Sequence, residues 1–267
     1  MSENGQRMPD GSRMDVSNRR ADQVCDESRE IPFNYGYLLN HAASIGGRIL
    51  DYGCGRGEIV SLGRRRGLDI WGADSYESHY VSFLQAVADE THCYIKRIQA
   101  SHADFPDEHF DLVLSNQVLE HVTEPEAAIA DMGRLLKPGG TLIAAFPVTS
   151  TWYEGHVGLY FAHRVPRGAL RHAAFVAAHR VGFGLYRGTL TASEWASESE
   201  LTLDSVCFYY PRARMLSALC SIGAADDISV DYMRVRLGNR VRFAPDAFLR
   251  FVYHKRAGEI FRVTKAP

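Results

Sequence analysis

From Arg48 onward, short apolar runs alternate with stretches whose apolar residues recur at helical spacing. "RILDY" (48–52) reads as a strand, and "GEIVSLGRRRG" (57–67) as a helix. Its apolar face is Ile59, Val60 and Leu62, and Gly67 is its stop. "LDIWGAD" is a second strand. "ESHYVSFLQAVADE" places Tyr80, Phe83, Leu84 and Val87 on one side of a helix. "CYIKRI", "FDLVLSN" and "TLIAAFP" are the third, fourth and fifth strands. A helix over Pro125–Leu136 carries an apolar stripe of Ala128, Ile129, Met132, Leu135 and Leu136. Strands alternating with helices predict a doubly wound α/β fold, a parallel sheet with helices on both faces. Such a sheet binds its ligand at the carboxyl ends of its strands.

The rhythm is absent at both ends of this block. Residues 1–30 are polar and charged with little apolar clustering, the composition of a flexible leader. Order is expected from about Ile31, where Tyr37, Leu38, His41 and Ala42 suit a short helix. Residues 148–205 show no strand–helix alternation. A helix near Pro211–Ile222, a strand near Ile228–Met233 and a last strand at Glu259–Thr264 then resume the pattern. The layout is one domain over 31–267 with 148–205 as an α-rich lid insertion for the substrate.

Bulk composition narrows the function. A length of 267 residues with 46% hydrophobic content suits one large domain with a normal core. The formal net charge of −2 gives no general attraction to nucleic acid, which is not expected as a partner. Five scattered cysteines form no CxxC pair, as in a reduced cytoplasmic protein, and no structural zinc site is expected. No signal-peptide pattern and no apolar run of membrane-spanning length is present, which leaves peripheral membrane contact open.

The chemistry begins at "ILDYGCGRGEIV" (49–60), where Gly53, Gly55 and Gly57 follow the first strand. Glycine permits positive φ and close approach of a ligand to the backbone. The helix that follows adds free N–H groups. Asp74 ends the second strand, 21 residues after Gly53, where a carboxylate can accept ribose hydroxyls. Together these point to an adenosine-like ligand. The spacing is GxGxG, not the GxGxxG of dinucleotide folds.

"FPDEHFDLVLSNQVLEHV" (105–122) and "LLKPGGTLIAAF" (135–146) follow in order. With these segments the sequence resembles the class I S-adenosylmethionine-dependent methyltransferases, in particular those with a D-x-G-C-G-x-G first loop and an L-E-H-V segment. The resemblance covers roughly residues 45–147. It implies a seven-stranded, mostly parallel Rossmann-like sheet with a reversed final strand, and S-adenosyl-L-methionine as cofactor. It assigns Asp51 and the backbone of Gly53, Cys54 and Gly55 to the methionine end, Asp74 to the ribose, and Ser75 and Tyr76 to the adenine flanks. Gln99 and Ala100 stand where many members have an acidic residue for the adenine amino group. Ser115 and Asn116 would face the methyl region. "KPGG" reads as a helix stop and turn.

The insertion is where acceptor selection is expected. From Glu154 to Arg187 it holds five arginines (Arg164, Arg167, Arg171, Arg180, Arg187) and one acid, a balance of +4, interleaved with aromatics. Arginine with aromatic rings suits an anionic or glycosylated small molecule, methylated on a hydroxyl or carboxyl; outward-facing arginines on an amphipathic lid are the alternative. His156, with Glu154 beside it, and His121 are the candidate catalytic residues. Histidines 156, 163, 172 and 179 lack metal-ligand spacing, so no metal is expected. A binding protein without transferase activity and an NAD-type oxidoreductase are the competing classes.

Overall fold

The computed structural model describes residues 31–76, 87 and 89–267. The expected leader and the helix positions Tyr80, Phe83 and Leu84 lie outside the described residues. The chain runs through α1 (Phe33–Ile45), β1 (Arg48–Tyr52), α2 (Glu58–Arg65), β2 (Asp69–Asp74), β3 (Ile95–Gln99), β4 (His102–Ala103) and β5 (Phe110–Asn116). It continues with α3 (Pro125–Leu135), β6 (Leu136–Phe146), β7 (Tyr153–Glu154), β8 (Leu159–Tyr160), α4 (Ala169–Arg180) and α5 (Ala192–Ser205). Then come α6 (Arg212–Cys220), β9 (Gly223–Asp227), α7 (Ser229–Leu237), α8 (Asp246–Arg256) and β10 (Glu259–Lys265).

The main sheet has the order β4-β3-β2-β1-β5-β6-β10-β9. β3, β2, β1, β5 and β6 pair in parallel, and β10 is antiparallel to both β6 and β9. The reversed final strand matches the sequence expectation. The sheet has eight strands rather than seven. The additional one, β4, is two residues long and folds back on the end of β3.

Strand alternation divides the core into two layers. Leu50, Tyr52 and Val113 pack on one face with Ile129, Met132 and Leu135 of α3 and Met215 and Leu219 of α6. Ile49, Leu112 and Leu114 point the other way, onto Leu38, Leu39 and Ala42 of α1, Ile59 of α2, Tyr232 of α7 and Tyr253 of α8. Period-2 strands inside period-3.6 helices make this sandwich, and each fully buried aliphatic side chain contributes about 1.5–3 kcal/mol.

Two local expectations need correction. Ile228–Met233 is not a strand: Ser229 opens α7, and the strand is the preceding Gly223–Asp227. The "KPGG" stretch lies within β6, where the pairing with β5 shifts register between Phe110 and Leu112. Gly139 adopts φ +74° in this bulge, and Lys137 beside it bonds both oxygens of Asp111 at 2.8 Å. The 148–205 insertion is a small hairpin, β7–β8, followed by α4 and α5. It has its own core of Val157, Ala162, Phe175, Trp195, Ala196, Leu203 and Cys207. Among the described residues no helix is long and apolar enough to cross a membrane.

The C-terminal end is tied by a polar knot. Asp227 accepts hydrogen bonds from the backbone and hydroxyl of Ser229 and from His254 Nε2 at 3.1 Å. Arg250 lies 3.3 Å from it, and Arg212 bonds the buried Glu259 at 2.9 Å. Burial alone would raise the Asp227 carboxyl, but the His254 and Ser229 hydrogen bonds hold it well below the usual range. Asp227→Asn is therefore expected to lower stability by about 1.5–3 kcal/mol at neutral pH. A depressed carboxyl contributes fully above its unfolded pKa of about 4 and loses that contribution as pH falls toward the folded value. Urea titrations of both proteins should show the widest gap above about pH 4 and a narrowing gap below it. A gap that widens on acidification would refute the assignment.

Candidate functional site

A cavity of about 900 Å³ opens at the carboxyl ends of β1, β2 and β5. The glycine stretch forms its floor. Gly53, Gly55 and Gly57 all adopt positive φ, at +79°, +52° and +70°. Side chains are excluded at Gly53, where a Cβ would collide with the Val118 side chain. The amides of Gly53 and Cys54 both donate to the Ala73 carbonyl, at 2.7 and 3.0 Å. The Gly55 amide donates to Asp74 Oδ2 at 2.8 Å. These N–H groups are consumed inside the loop. The amides of Gly53, Cys54 and Gly55 therefore form no nest of free donors for an anion.

The acids at this end define its electrostatics. Asp51, Glu58 and Asp74 line the cavity together. Asp51 is buried, and its pKa is pushed up to about 8, first by burial and then by the charges of Asp74 and Glu58. Asp74 is likewise raised by burial, against hydrogen bonds from the Tyr76, Gly55 and Ser75 amides. Carboxyl groups crowded in this way, with Arg56 also on the wall, are relieved by a bound cation, which would return Asp51 to its charged form.

The expected site residues divide into two groups. Asp51, Gly53, Cys54, Gly55, Asp74, Ser75, Ala100, Asn116 and His121 line the cavity. Tyr76 does not: it is buried, and its hydroxyl donates to the Gly55 carbonyl at 2.8 Å, bracing the loop from behind. Gln99 is exposed and pairs with His102 across the β3–β4 turn. Ala100 and Ser101, both at positive φ, form that turn and face the cavity instead. Ser115 is buried off the cavity wall and its hydroxyl has no hydrogen-bond partner. His156 is also off the wall. It stands behind His121, with the two Nε2 atoms 3.1 Å apart.

Several cavity residues carry no periodic or motif signal. Asn34 and Tyr35 come from α1, Gln117 and Val118 from the turn after β5, and Tyr186 from the insertion. Val206 and Phe208 reach the wall because residues 206–210 run along the 119–123 turn. Phe208 N donates to the Glu120 carbonyl at 2.6 Å, and the Tyr210 hydroxyl bonds the Val122 carbonyl at 2.8 Å. His121 Nδ1 lies 2.6 Å from the Val206 carbonyl.

The lid arginines do not converge on the cavity. Arg171 is buried and pairs with Asp204 and Glu200 of α5. Arg167 also reaches Asp204, at 3.0 Å. Arg164 bonds the Thr149 carbonyl, and Arg187 the carbonyls of His179 and Gly182. Part of the +4 balance, Arg167 and Arg171, is met by Asp204 and Glu200 of α5, which lie beyond the stretch in which it was counted. His172 follows the same pattern, 2.9 Å from Glu200.

Against this geometry, the chain matches a family described as methyltransferase domain over residues 27–181. It is 30% identical over 151 residues to a ubiquinone biosynthesis O-methyltransferase of Serratia proteamaculans, covering 54% of this chain and 63% of that protein. The counterpart in Pectobacterium atrosepticum is 31% identical over 143 residues, covering 51% and 59%. The chain thus matches about three fifths of the length of these relatives. A solved S-adenosylmethionine-dependent methyltransferase from Mesorhizobium loti shares the fold with a TM-score of 0.52. It is 15% identical, and the overlap covers 88% of this chain and 98% of that one.

The lid pairing has a direct consequence. Removing Arg171 leaves Asp204 and Glu200 partly buried, with only the exposed Arg167 and the partly buried His172 beside them. Arg171→Ala is expected to cost about 3 kcal/mol. By contrast, Arg180→Gln, at an exposed position, should stay within about 0.5 kcal/mol. Denaturant unfolding compares the two. Equal, small effects would refute the stabilising role of the Arg171 pairs.

Proposed function

The chain belongs to the methyltransferase-domain family, and on that premise we propose that it moves the methyl group of S-adenosyl-L-methionine to a hydroxyl of a small, ring-bearing organic acceptor. The observation that carries this reading is the acidic end of the cavity, where Asp51, Glu58 and Asp74 meet. S-adenosylmethionine brings a cationic methionine portion, which relieves the crowding of these carboxylates. A nicotinamide dinucleotide brings a pyrophosphate, which needs the donors that this loop has already committed to Ala73 and Asp74. The competing oxidoreductase reading loses its support on that ground.

The residues fit the cofactor in parts. Asp51 faces its cationic end. Asp74 accepts the ribose hydroxyls on the lone pairs left by its bonds to the Gly55 and Tyr76 amides. The Ala100–Ser101 turn and Ser75 border the adenine side, with Tyr76 bracing the loop and Gln99 outside. Asn116 and His121 stand toward the methyl region. When bound, the cofactor supplies a sulfonium methyl already activated for attack. The chain's part is to hold the acceptor in line and keep water out, and orientation of that kind supplies on the order of 7–11 kcal/mol. Both nitrogens of His121 are engaged, with the Val206 carbonyl and with His156. Positioning, rather than proton abstraction by a free imidazole, is its contribution in this arrangement.

The acceptor end is bounded by Tyr186 and Phe208. Aromatic faces of this kind suit a flat ring, and the relatives named as O-methyltransferases favour oxygen as the acceptor atom. An anionic acceptor gripped by lid arginines has lost its basis, because Arg164, Arg167, Arg171 and Arg187 are engaged within the protein.

Two measurements test the reading. Calorimetric titration should show binding of S-adenosylmethionine and its demethylated product, with no comparable binding of nicotinamide dinucleotides. Asp74→Asn should weaken that binding by about 1.5–3 kcal/mol, a tenfold to roughly hundredfold rise in dissociation constant. Transfer of labelled methyl to a panel of phenols, sugars and carboxylic acids then separates an enzyme from a silent binder. Label appearing only on carboxylic acids or sugars would reject the ring-hydroxyl acceptor.

A further inference from the structure

Behind the cavity wall, three segments distant in sequence bring nitrogen and sulfur donors together. His121 ends the short helical turn Leu119–His121 after β5. His156 lies in the hairpin between β7 and β8, and Cys207 follows α5. One ligand atom from each, two imidazole nitrogens and a sulfur, lie within 4.8 Å of one another. Cys207 is buried and both histidines are partly so.

Hydrogen bonding fixes which atoms face inward. His121 Nδ1 is 2.6 Å from the Val206 carbonyl oxygen, which can only accept. His156 Nδ1 is 2.6 Å from Glu154 Oε1. Glu154 is a buried carboxylate already receiving the Tyr209 hydroxyl at 2.6 Å and the Val157 amide at 2.7 Å. Each Nδ1 therefore carries its hydrogen toward an oxygen, and the two Nε2 atoms are left pointing at one another, 3.1 Å apart. Two imidazole lone pairs at that separation repel unless a proton or a metal ion lies between them. The rings stand nearly perpendicular, at 85°, as two ligands of one ion do.

We propose that His121 Nε2, His156 Nε2 and Cys207 Sγ form a binding site for a divalent transition metal, zinc by its donor set. Zinc bonds imidazole nitrogen at about 2.0–2.1 Å, so two such nitrogens at a tetrahedral angle sit about 3.3–3.4 Å apart. The observed separation needs a change of only a few tenths of an ångström. A thiolate with two imidazoles selects zinc or cobalt over magnesium or calcium, which prefer oxygen. The outer contacts follow the usual pattern for metal-bound histidine, with one ring held by a carboxylate and the other by a backbone carbonyl. A second observation points to a missing cation. Glu120, adjacent to His121, is buried with neither carboxylate oxygen hydrogen-bonded. The other acid–histidine cluster, Asp227, His254 and Glu259, differs because Arg212 and Arg250 already neutralise it. The metal ties the lid hairpin and the 206–210 segment to the turn that carries His121 into the cavity. This site stands on its own contacts and does not depend on the methyl-transfer reading.

The test uses the full chain, stripped with chelator and then titrated with Zn(II) or Co(II). About one equivalent should bind, and Zn(II) should raise the melting temperature. Co(II) should give d–d bands of a tetrahedral site and a thiolate charge-transfer band. Cys207→Ser should lose the charge-transfer band, and His156→Gln should lose tight binding. Cys93→Ser, at an exposed cysteine elsewhere, should behave like the parent. Circular dichroism identifies any variant that fails to fold, and the spectrum of the unaltered protein then decides alone. No metal bound above the level of a control protein, or a cobalt spectrum without thiolate character, overturns the site. Metal binding without methyl transfer keeps the site and rejects the proposed function; methyl transfer without metal binding does the reverse.

Discussion

Burying Asp51 beside Asp74 and Glu58 is the constraint on which the site depends. A carboxyl taken out of water at the end of a central strand is costly unless its charge is met. The protein spends its nearby donors elsewhere. The Gly53 and Cys54 amides close the loop onto Ala73, and the Gly55 amide goes to Asp74. Asp51 is left raised to about 8, a residue kept in tension by its neighbours. A core optimised for stability alone would replace it with an apolar residue. Its presence at the floor of a cavity, at the carboxyl edge of a parallel sheet, is the mark of a ligand that brings positive charge.

A second constraint shapes the opposite side of the same cavity. Residues 206–210 are strapped along the 119–123 turn by the Phe208 amide, the Tyr210 hydroxyl and His121 Nδ1. The strap follows α5, so it carries the position of the lid into the cavity wall. The lid is held internally by its own small core and by the Arg171–Asp204–Glu200 group. Its effect on the ligand therefore passes through the strap and Tyr186, rather than through mobile arginine side chains.

The core of this architecture was legible because its signals are local. β1, β2 and β5 are short apolar runs whose alternate residues fill two layers, and the Gly53–Gly57 turn and Asp74 stand at fixed offsets from them. β9 was missed because Gly223–Asp227 has only alanine and glycine with acids. It is an edge strand, held by pairing with β10 rather than by burial. The apolar residues just after it, Ile228 and Tyr232, serve a helix face. The "KPGG" bulge misled for the opposite reason: proline and glycine read as a stop, yet the strand absorbs them by a register shift.

The candidate site shows where such reading ends. Asp51, the glycines and Asp74 fall within one strand–turn–helix–strand unit, so spacing reports them. His121 and His156 are 35 residues apart, and Cys207 lies beyond two further helices. No spacing rule connects them; only the packing of the lid against the turn after β5 does. The arginine balance failed in the same way, because charge counted within one stretch ignores acids on the next helix. Arg171 and Asp204 are 33 residues apart, yet they neutralise one another within the lid. Charge along a sequence therefore reports on a ligand only once the partners contributed by neighbouring elements have been subtracted. In this chain the subtraction takes Arg167 and Arg171 out of the lid's balance and leaves the acids of the cavity floor as the clearer signal.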